Sequence, residues 1–378
     1  MMINCRKVLS PQGWLENQTI CIDKGIITTI KPQTSDASGS KTVELLAPGF
    51  IDIQVNGGGG FLLNQQTDAN AVEQIFYAHQ RFGTTAMLPT LITDSEAKMQ
   101  EATCAIAIAR KSLPNAIVGV HFEGPWLSRA RKGVHPERYI RAPKESELAM
   151  LRATGLGQVL VTLAPENVAP AVIRELVEDG IIVFLGHSAA TAEQTCAALD
   201  AGATGFTHLF NAMSPMQSRE PGMVGAALAA PNAYAGLIVD GYHVDPICCK
   251  VAARALGKER ICLVTDAMAL AASEATQMPF FETTITKSDN RLTTPDGTLA
   301  GSCLTMIDAV RNTVKHCNIA LEDALYMAST TPATALDLQQ SQGSIAVGQQ
   351  ANFVALDQQL QVTEVYQAGQ PTFENSGA

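Results

Sequence analysis

Hydrophobic and polar positions follow two different patterns along this chain. Residues 19–31 read TICIDKGIITTIK, two β-branched runs on either side of Asp23-Lys24-Gly25, the pattern of a hairpin. Residues 32–41 are polar and Ser-rich and read as a loop. β-Rich runs return near the other end, at residues 351–356 and 361–366. Between these ends, short β-branched runs alternate with Ala-rich stretches of helical period. Strands are expected at residues 49–55, 84–89, 117–123, 159–163, 181–187, 205–208, 234–240 and 261–266. Helices are expected at residues 69–82, 94–112, 169–179, 191–201 and 246–256. Eight strands alternating with helices indicate parallel β/α units, and their span is that of a closed (β/α)8 TIM-type barrel.

An open doubly wound sheet competes with the barrel. Such a sheet usually carries a phosphate-binding turn after its first strand. Here Gly57-Gly58-Gly59-Gly60 lacks both GxGxxG and GxxxxGK[ST] spacing, so it reads as a permissive turn that lets backbone approach a ligand. In a barrel the first strand and last helix are neighbours. Residues 1–46 and 345–378 are therefore expected to form a small β-sandwich domain beside a barrel of residues 47–344.

Composition narrows the function. Hydrophobic residues make up 46% and charged residues 16%, enough for a packed core. With 26 Lys and Arg against 36 Asp and Glu, the formal charge is −10, which argues against a nonspecific nucleic-acid binder. An anionic small substrate would need cations gathered locally. No stretch reads as a signal peptide, and no apolar run reaches the roughly 18 residues of a membrane helix. The nine cysteines show no CxxC spacing, and Cys248 and Cys249 are adjacent. Reduced thiols in a cytoplasmic protein are expected.

The ends of the predicted strands carry the chemistry. Five of the seven histidines lie at or just after them: His121, His135, His187, His208 and His243. Glu123 and Asp266 share that position, and in a barrel all strand carboxyl ends open on one face. Any one of these residues is more often an ordinary hydrogen-bonding group, and Glu123 could simply pair with an Arg. Their concentration on one face favours a site. Two imidazoles and a carboxylate with open positions make an ordinary catalytic Zn²⁺ or Fe²⁺ centre, with Glu123, His187 and His208 as ligands. Asp266 reads either as a helix cap or as a general base that takes a proton from the attacking water and returns it to a leaving group. Arg219 reads either as a solvated surface residue or as a fork for an anionic group, with His243 and His135 as further donors.

The segments PGFIDIQVNGGGG, HFEGPW, GHS, THLFNAM, REPG, DGYHVD, LVTDAM and LAGSCLTM occur in this order. Together they resemble the N-acetylglucosamine-6-phosphate deacetylases of the amidohydrolase superfamily, from about Leu46 through Phe353. The resemblance implies a metal-dependent barrel with a small β-sandwich, usually a homodimer. It implies hydrolysis of a linear amide, N-acetyl-D-glucosamine 6-phosphate giving D-glucosamine 6-phosphate and acetate. It places the metal on Glu123, His187 and His208 and the catalytic carboxylate on Asp266. His135 joins Asp266 in catalysis, polarising the acetamide carbonyl. Substrate contacts map onto Val134, His135, Asn211, Ala212, Arg219, Asp240, Gly241, Tyr242, His243, Leu299, Ala300 and Gly301.

Two departures qualify the resemblance. Many amidohydrolases carry His-x-His at the end of strand one and hold two metals, whereas this chain has Gln54-Val55-Asn56. Amides are poor Zn²⁺ ligands, so one divalent ion per subunit is expected, Zn²⁺ first and Fe²⁺, Mn²⁺ or Co²⁺ as alternatives, with Gln54 near the metal or its water. Residues 268–279 also differ from the family's loop, which bears on substrate preference. Two rival functions follow: deacetylation of another N-acetylated sugar phosphate, such as the galactosamine epimer, or noncatalytic binding of amino-sugar phosphates. Whether Arg219 serves its own site or a partner's is open at this point.

Overall fold

The computed structural model describes residues 1–33 and 42–375. Eight parallel strands run in chain order: Phe50–Val55, Thr84–Ile92, Gly119–Glu123, Gln158–Leu163, Ile182–Leu185, Gly205–Phe206, Tyr234–Leu237 and Ile261–Leu263. Each pairs with its sequence neighbours. Nearly every strand residue is buried, as a sheet covered on both faces requires. The strands are thus continuous apolar runs rather than alternating ones.

The covering helices are amphipathic and signalled locally. Asp68 and Ser95 cap Ala69–Gln80 and Glu96–Ser112 through their side chains. Thr191 and Gln194 form a reciprocal capping box before Ala192–Asp200, and Asp245 caps Pro246–Leu256 with proline at its first position.

The barrel closes between strands one and eight without a regular ladder. Asp266 N donates to Gln54 O at 2.9 Å, and Asn56 N and Gly57 N both donate to Ala267 O at 2.9 Å. The tetraglycine extends this seam. Gly59 N and Gly60 N donate to the carbonyls of Ala271 and Ala269, and a Cβ on Gly57 would lie 2.3 Å from Phe61 O. Gly57 thus lets backbone approach backbone, with the loop after strand eight packed against it.

The two ends of the chain meet in one seven-stranded mixed sheet. Its middle strand Thr42–Pro48 runs parallel to Met2–Ser10 and antiparallel to Phe353–Leu356. The expected hairpin joins Gly13–Asp23 to Ile26–Pro32, turning at Lys24 (φ 47°) and Gly25 (φ 80°). The expected polar loop falls, beyond Gln33, outside the described residues, as do residues 376–378.

One element was not anticipated. After strand eight the chain forms a four-stranded antiparallel sheet, Gln277–Phe280, Thr283–Ser288, Arg291–Thr293 and Leu299–Ser302. It has its own small core around Met278, Phe280, Ile285 and Leu292. Strands of three to six residues carry too few side chains for a readable alternation.

Candidate metal centre and active site

Glu123 ends strand three with its side chain inward. His121, two residues earlier, is also inward and fills the barrel below it, with Nε2 2.7 Å from Thr162 Oγ1. His187, His208 and Asp266 lie just past strands five, six and eight, and all three have positive φ (44°, 36° and 50°). Left-handed backbone at a non-glycine residue costs about 1–3 kcal/mol and is found where function holds it in place. Here three side chains converge because their backbones turn sharply at the barrel rim.

The convergence is close. His208 Nε2 lies 2.9 Å from Glu123 Oε1 and 3.0 Å from His187 Nε2, and His187 Nε2 is 3.3 Å from the same oxygen. His187 Nδ1–H donates to Arg131 O at 2.8 Å, which leaves the Nε2 lone pair facing the cluster. Two imidazole nitrogens and a carboxylate oxygen at this spacing repel unless a proton or a cation lies between them. A cation with bonds near 2 Å sets tetrahedral donors about 3.3 Å apart, so the donor set fits a divalent metal. Glu123 and His187 also form a group with His135 in which all ligand atoms lie within 4.8 Å. His208 makes the tighter set with Glu123 and His187, with its two shortest contacts at 2.9 and 3.0 Å.

Burial and charge divide these groups. Burial alone would raise the Glu123 carboxyl, but the hydrogen bonds and charges of His187 and His208 pull it well below the usual carboxylate range. Burial opposes protonation of His208, and Glu123 more than offsets it, so His208 is raised. Burial, reinforced by the charge on His187, holds His135 well below the ordinary imidazole value. Burial and then the charge of Glu123 push Asp266 up to about 6 against the pull of His208 and His243.

The opposite wall is the seam. Asn56 Nδ2 donates to Asp266 Oδ1 at 2.6 Å. Gln54 Nε2 lies 3.3 Å from that oxygen and 3.2 Å from Glu123 Oε1, between the ligand carboxylate and Asp266. Behind them, fully buried Asp52 accepts from Thr265 Oγ1 at 2.5 Å and from the backbone N–H groups of Gln54 and Thr265. Burial pushes its carboxyl up to about 7.

Glu123, His135, His187, His208 and Asp266 line a cavity of about 240 Å³ at the carboxyl ends of the strands. Of the expected substrate positions, Val134, His135, Asn211, Ala212, His243, Leu299 and Gly301 line it. The loop carrying Val134 and His135 is anchored by buried Trp126, whose Nε1–H donates to Glu147 at 2.9 Å, while Arg141 holds the same carboxylate at 2.5 Å. Ala300 is fully buried behind Leu299 and Gly301. Asp240 does not line the cavity and turns to His243, accepting from its Nδ1 at 2.6 Å. Gly241 (φ 80°) makes the turn between Asp240 and Tyr242, and Tyr242 is partly exposed, donating to Asp289 O at 2.6 Å. Arg219 is exposed, away from the cavity, with no hydrogen bond or ion pair among the described residues. Asn56, Ile92, Met268 and Thr298 line the cavity although they were not among the expected contacts. Only Asn56 had a readable signal, its place two residues after Gln54 at a strand end.

An eight-stranded parallel barrel whose rim gathers a buried Glu, several His and an adjacent Asp is the architecture of a metal-dependent hydrolase. A family model described as the amidohydrolase family matches residues 45–377. N-acetylgalactosamine-6-phosphate deacetylase of Shewanella sp. (strain ANA-3) is 44% identical over 374 residues, 97% of this chain and 95% of that protein. N-acetylglucosamine-6-phosphate deacetylase of Haemophilus influenzae is 35% identical over 368 residues, 96% of each chain. The crystal structure of N-acetylglucosamine-6-phosphate deacetylase from Pasteurella multocida superposes with a TM-score of 0.94 at 34% identity, over 99% of this chain and all of that one. The chain belongs to the amidohydrolase family, as one of its N-acetylhexosamine-6-phosphate deacetylases.

Proposed function

We propose that this chain removes the acetyl group of N-acetyl-D-galactosamine 6-phosphate, giving D-galactosamine 6-phosphate and acetate. The observation that carries the choice is identity: 44% to the galactosamine-type relative against 35% to the glucosamine-type one. This reverses the order expected from the motifs. They surround the metal centre and the scissile amide, which both epimers share, and none reads the orientation of one ring hydroxyl. The glucosamine epimer is the second reading, favoured by the near-complete superposition on the Pasteurella multocida structure.

Glu123, His187 and His208 would hold one divalent metal, most simply Zn²⁺, with Fe²⁺, Mn²⁺ or Co²⁺ as alternatives; when bound it polarises the carbonyl and acidifies the attacking water. Asp266 takes the proton of that water and later delivers it to the departing nitrogen. Gln54 and Asn56 hold the Asp266 carboxylate toward the cluster. Thr93 Oγ1–H donates to Glu123 O at 3.3 Å and lies 2.8 Å from His135 Nδ1, which fixes the plane of the ring. His135, so held, faces the carbonyl oxygen on which charge develops. His243, fixed by Asp240, aligns the sugar phosphate from the far side of the cavity.

A homodimer is part of the proposal. Ile247 (70% exposed) and Val251 (45%) lie one turn apart on Pro246–Leu256, and Met216 (58%) stands in the loop that carries Arg219. Covering these side chains with a second copy would bring the unpaired Arg219 guanidinium to a shared phosphate site. The nine cysteines are all free, which suits a cytoplasmic location.

The test is acetate release from both epimers, with metal content measured on the same sample. The expected result is kcat/KM at least about tenfold higher for the galacto epimer, with one metal per chain; a tenfold difference is about 1.4 kcal/mol of transition-state discrimination. The reverse ratio would assign the glucosamine substrate. No release from either would end the deacetylase reading.

A further inference from the structure

Asn56 is 2% exposed and lies on the cavity wall. Its backbone is fully used, with N–H donating to Ala267 O and C=O accepting from Leu63 N–H. Its Nδ2 donates to Asp266 Oδ1 at 2.6 Å. A carboxylate has no proton to give, so the amide must present its NH2 side to Asp266. That orientation leaves Oδ1 facing away from the carboxylate, and Oδ1 is a buried acceptor with no donor. A native protein rarely leaves such an atom unmatched, and on a residue that lines the substrate cavity its natural partner is a ligand N–H or O–H.

We propose that Asn56 grips both reacting partners at once: Nδ2 fixes Asp266, and Oδ1 accepts the N–H of the scissile acetamide. This role rests on the deacetylase reading above and adds a residue to it. The stereochemistry of amide cleavage asks for such a group. As the carbonyl carbon becomes tetrahedral, the nitrogen pyramidalises, and its lone pair forms at a large angle to its N–H bond. Two partners must then address one nitrogen from different directions, an acceptor for the N–H and an acid for the lone pair. Asp266 gives that lone pair the proton it received from water, and as the C–N bond breaks its electron pair stays on nitrogen as the lone pair of the amine. The N–H held by Asn56 is kept throughout, so the nitrogen leaves as an amine. The 2.6 Å bond between Asn56 and Asp266 places acceptor and acid side by side.

The experiment compares the N-acetylhexosamine 6-phosphate with its ester counterpart, the 2-O-acetyl hexose 6-phosphate, which has no N–H at that position. Acetate release from both is measured for the wild type, Asn56→Ala and Asn56→Asp. Asn56→Ala loses both contacts, so the amide-to-ester ratio of kcat/KM should fall at least about tenfold. Asn56→Asp keeps an acceptor of the same shape but loses the donor to Asp266, so both rates should fall together, with the ratio within about twofold of wild type. Asn56→Ser replaces the alanine variant if the latter binds no metal. Equal losses on amide and ester in the alanine or serine protein would reduce Asn56 to a support for Asp266 and overturn the proposal. A wild type that turns over the amide of neither epimer would instead overturn the deacetylase reading, and this role with it.

Discussion

The two walls of the cavity are built by different means. On the metal wall, Glu123, His187 and His208 extend from strands three, five and six, whose parallel ladders continue without a break from Thr84–Ile92 to Gly205–Phe206. On the other wall, Gln54, Asn56 and Asp266 sit where strands one and eight meet with no ladder, joined by single backbone bonds and by the Asp52–Thr265 contact. The first wall gathers groups that repel unless a cation joins them. The second is held by its own hydrogen bonds, with Gln54 Nε2 and Asn56 Nδ2 both directed at Asp266 Oδ1. The contrast teaches that this active site is half open to a cofactor and half closed by hydrogen bonds, and that the carboxamides occupy the place where a second pair of imidazoles would have required another ion.

The comparison can be broken most severely on the metal wall. His208→Ala removes one of three donors and leaves Glu123 and His187 facing each other. Metal content measured after dialysis should fall below about one tenth per chain, and kcat/KM by at least about a thousandfold, since second-rank losses alone reach 10–100-fold. Retention of a full complement of metal would show that His135 can serve as the third ligand.

On the seam, Asp266→Asn should leave metal content intact and lower kcat by about a thousandfold, in the range of lost general acid–base catalysis. A fully active variant would remove Asp266 from the mechanism. The wild type carries its own check. Asp266 must be ionised to accept a proton, and burial places it at about 6 before any cation acts on it. Activity should therefore fall as pH drops through 6 or lower, since a bound cation moves this limb further down. A loss that begins above pH 7 would contradict that sign.

The smallest effect lies behind the seam. Asp52 has its carboxyl raised from 3.8 to about 7 by burial, so the native state holds its proton more tightly than the unfolded chain does. Its contribution to stability is complete below about pH 4 and is lost as pH rises through 7. The span corresponds to as much as about 4 kcal/mol. Asn at position 52 keeps an oxygen for the N–H groups of Gln54 and Thr265 and can donate to Thr265 Oγ1. Urea midpoints across pH 4–8 should show Asp52→Asn losing this slope relative to wild type. Parallel profiles would mean that Asp52 does not titrate there.

Much of the barrel was legible because its signals are local. Continuous β-branched runs, capping residues such as Asp68, Ser95 and Thr191, and proline after Asp245 each act within one helical turn or strand. The antiparallel sheet after strand eight was not legible, because its strands are short and its core depends on packing against residues 268–270. Asp240 and Tyr242 were expected as contacts because the family resemblance maps substrate contacts onto residues 240–243. The structure instead gives Asp240 the task of orienting that imidazole and Tyr242 the task of tying its loop to Asp289.

From its residue order alone, the protein has eight β/α units, terminal segments suited to a sheet, and a Glu, two His and an Asp at strand ends. These follow from periodicity and from which side chains bind cations, properties that a short window of sequence carries. Only the tertiary structure decided which of them meet. Gln54 and Asn56 reach Asp266 across more than two hundred residues, and Glu123 reaches His208 across 85. Those encounters depend on barrel closure and on left-handed turns at His187, His208 and Asp266. No local preference specifies such turns, because they are unfavourable until the rest of the fold holds them.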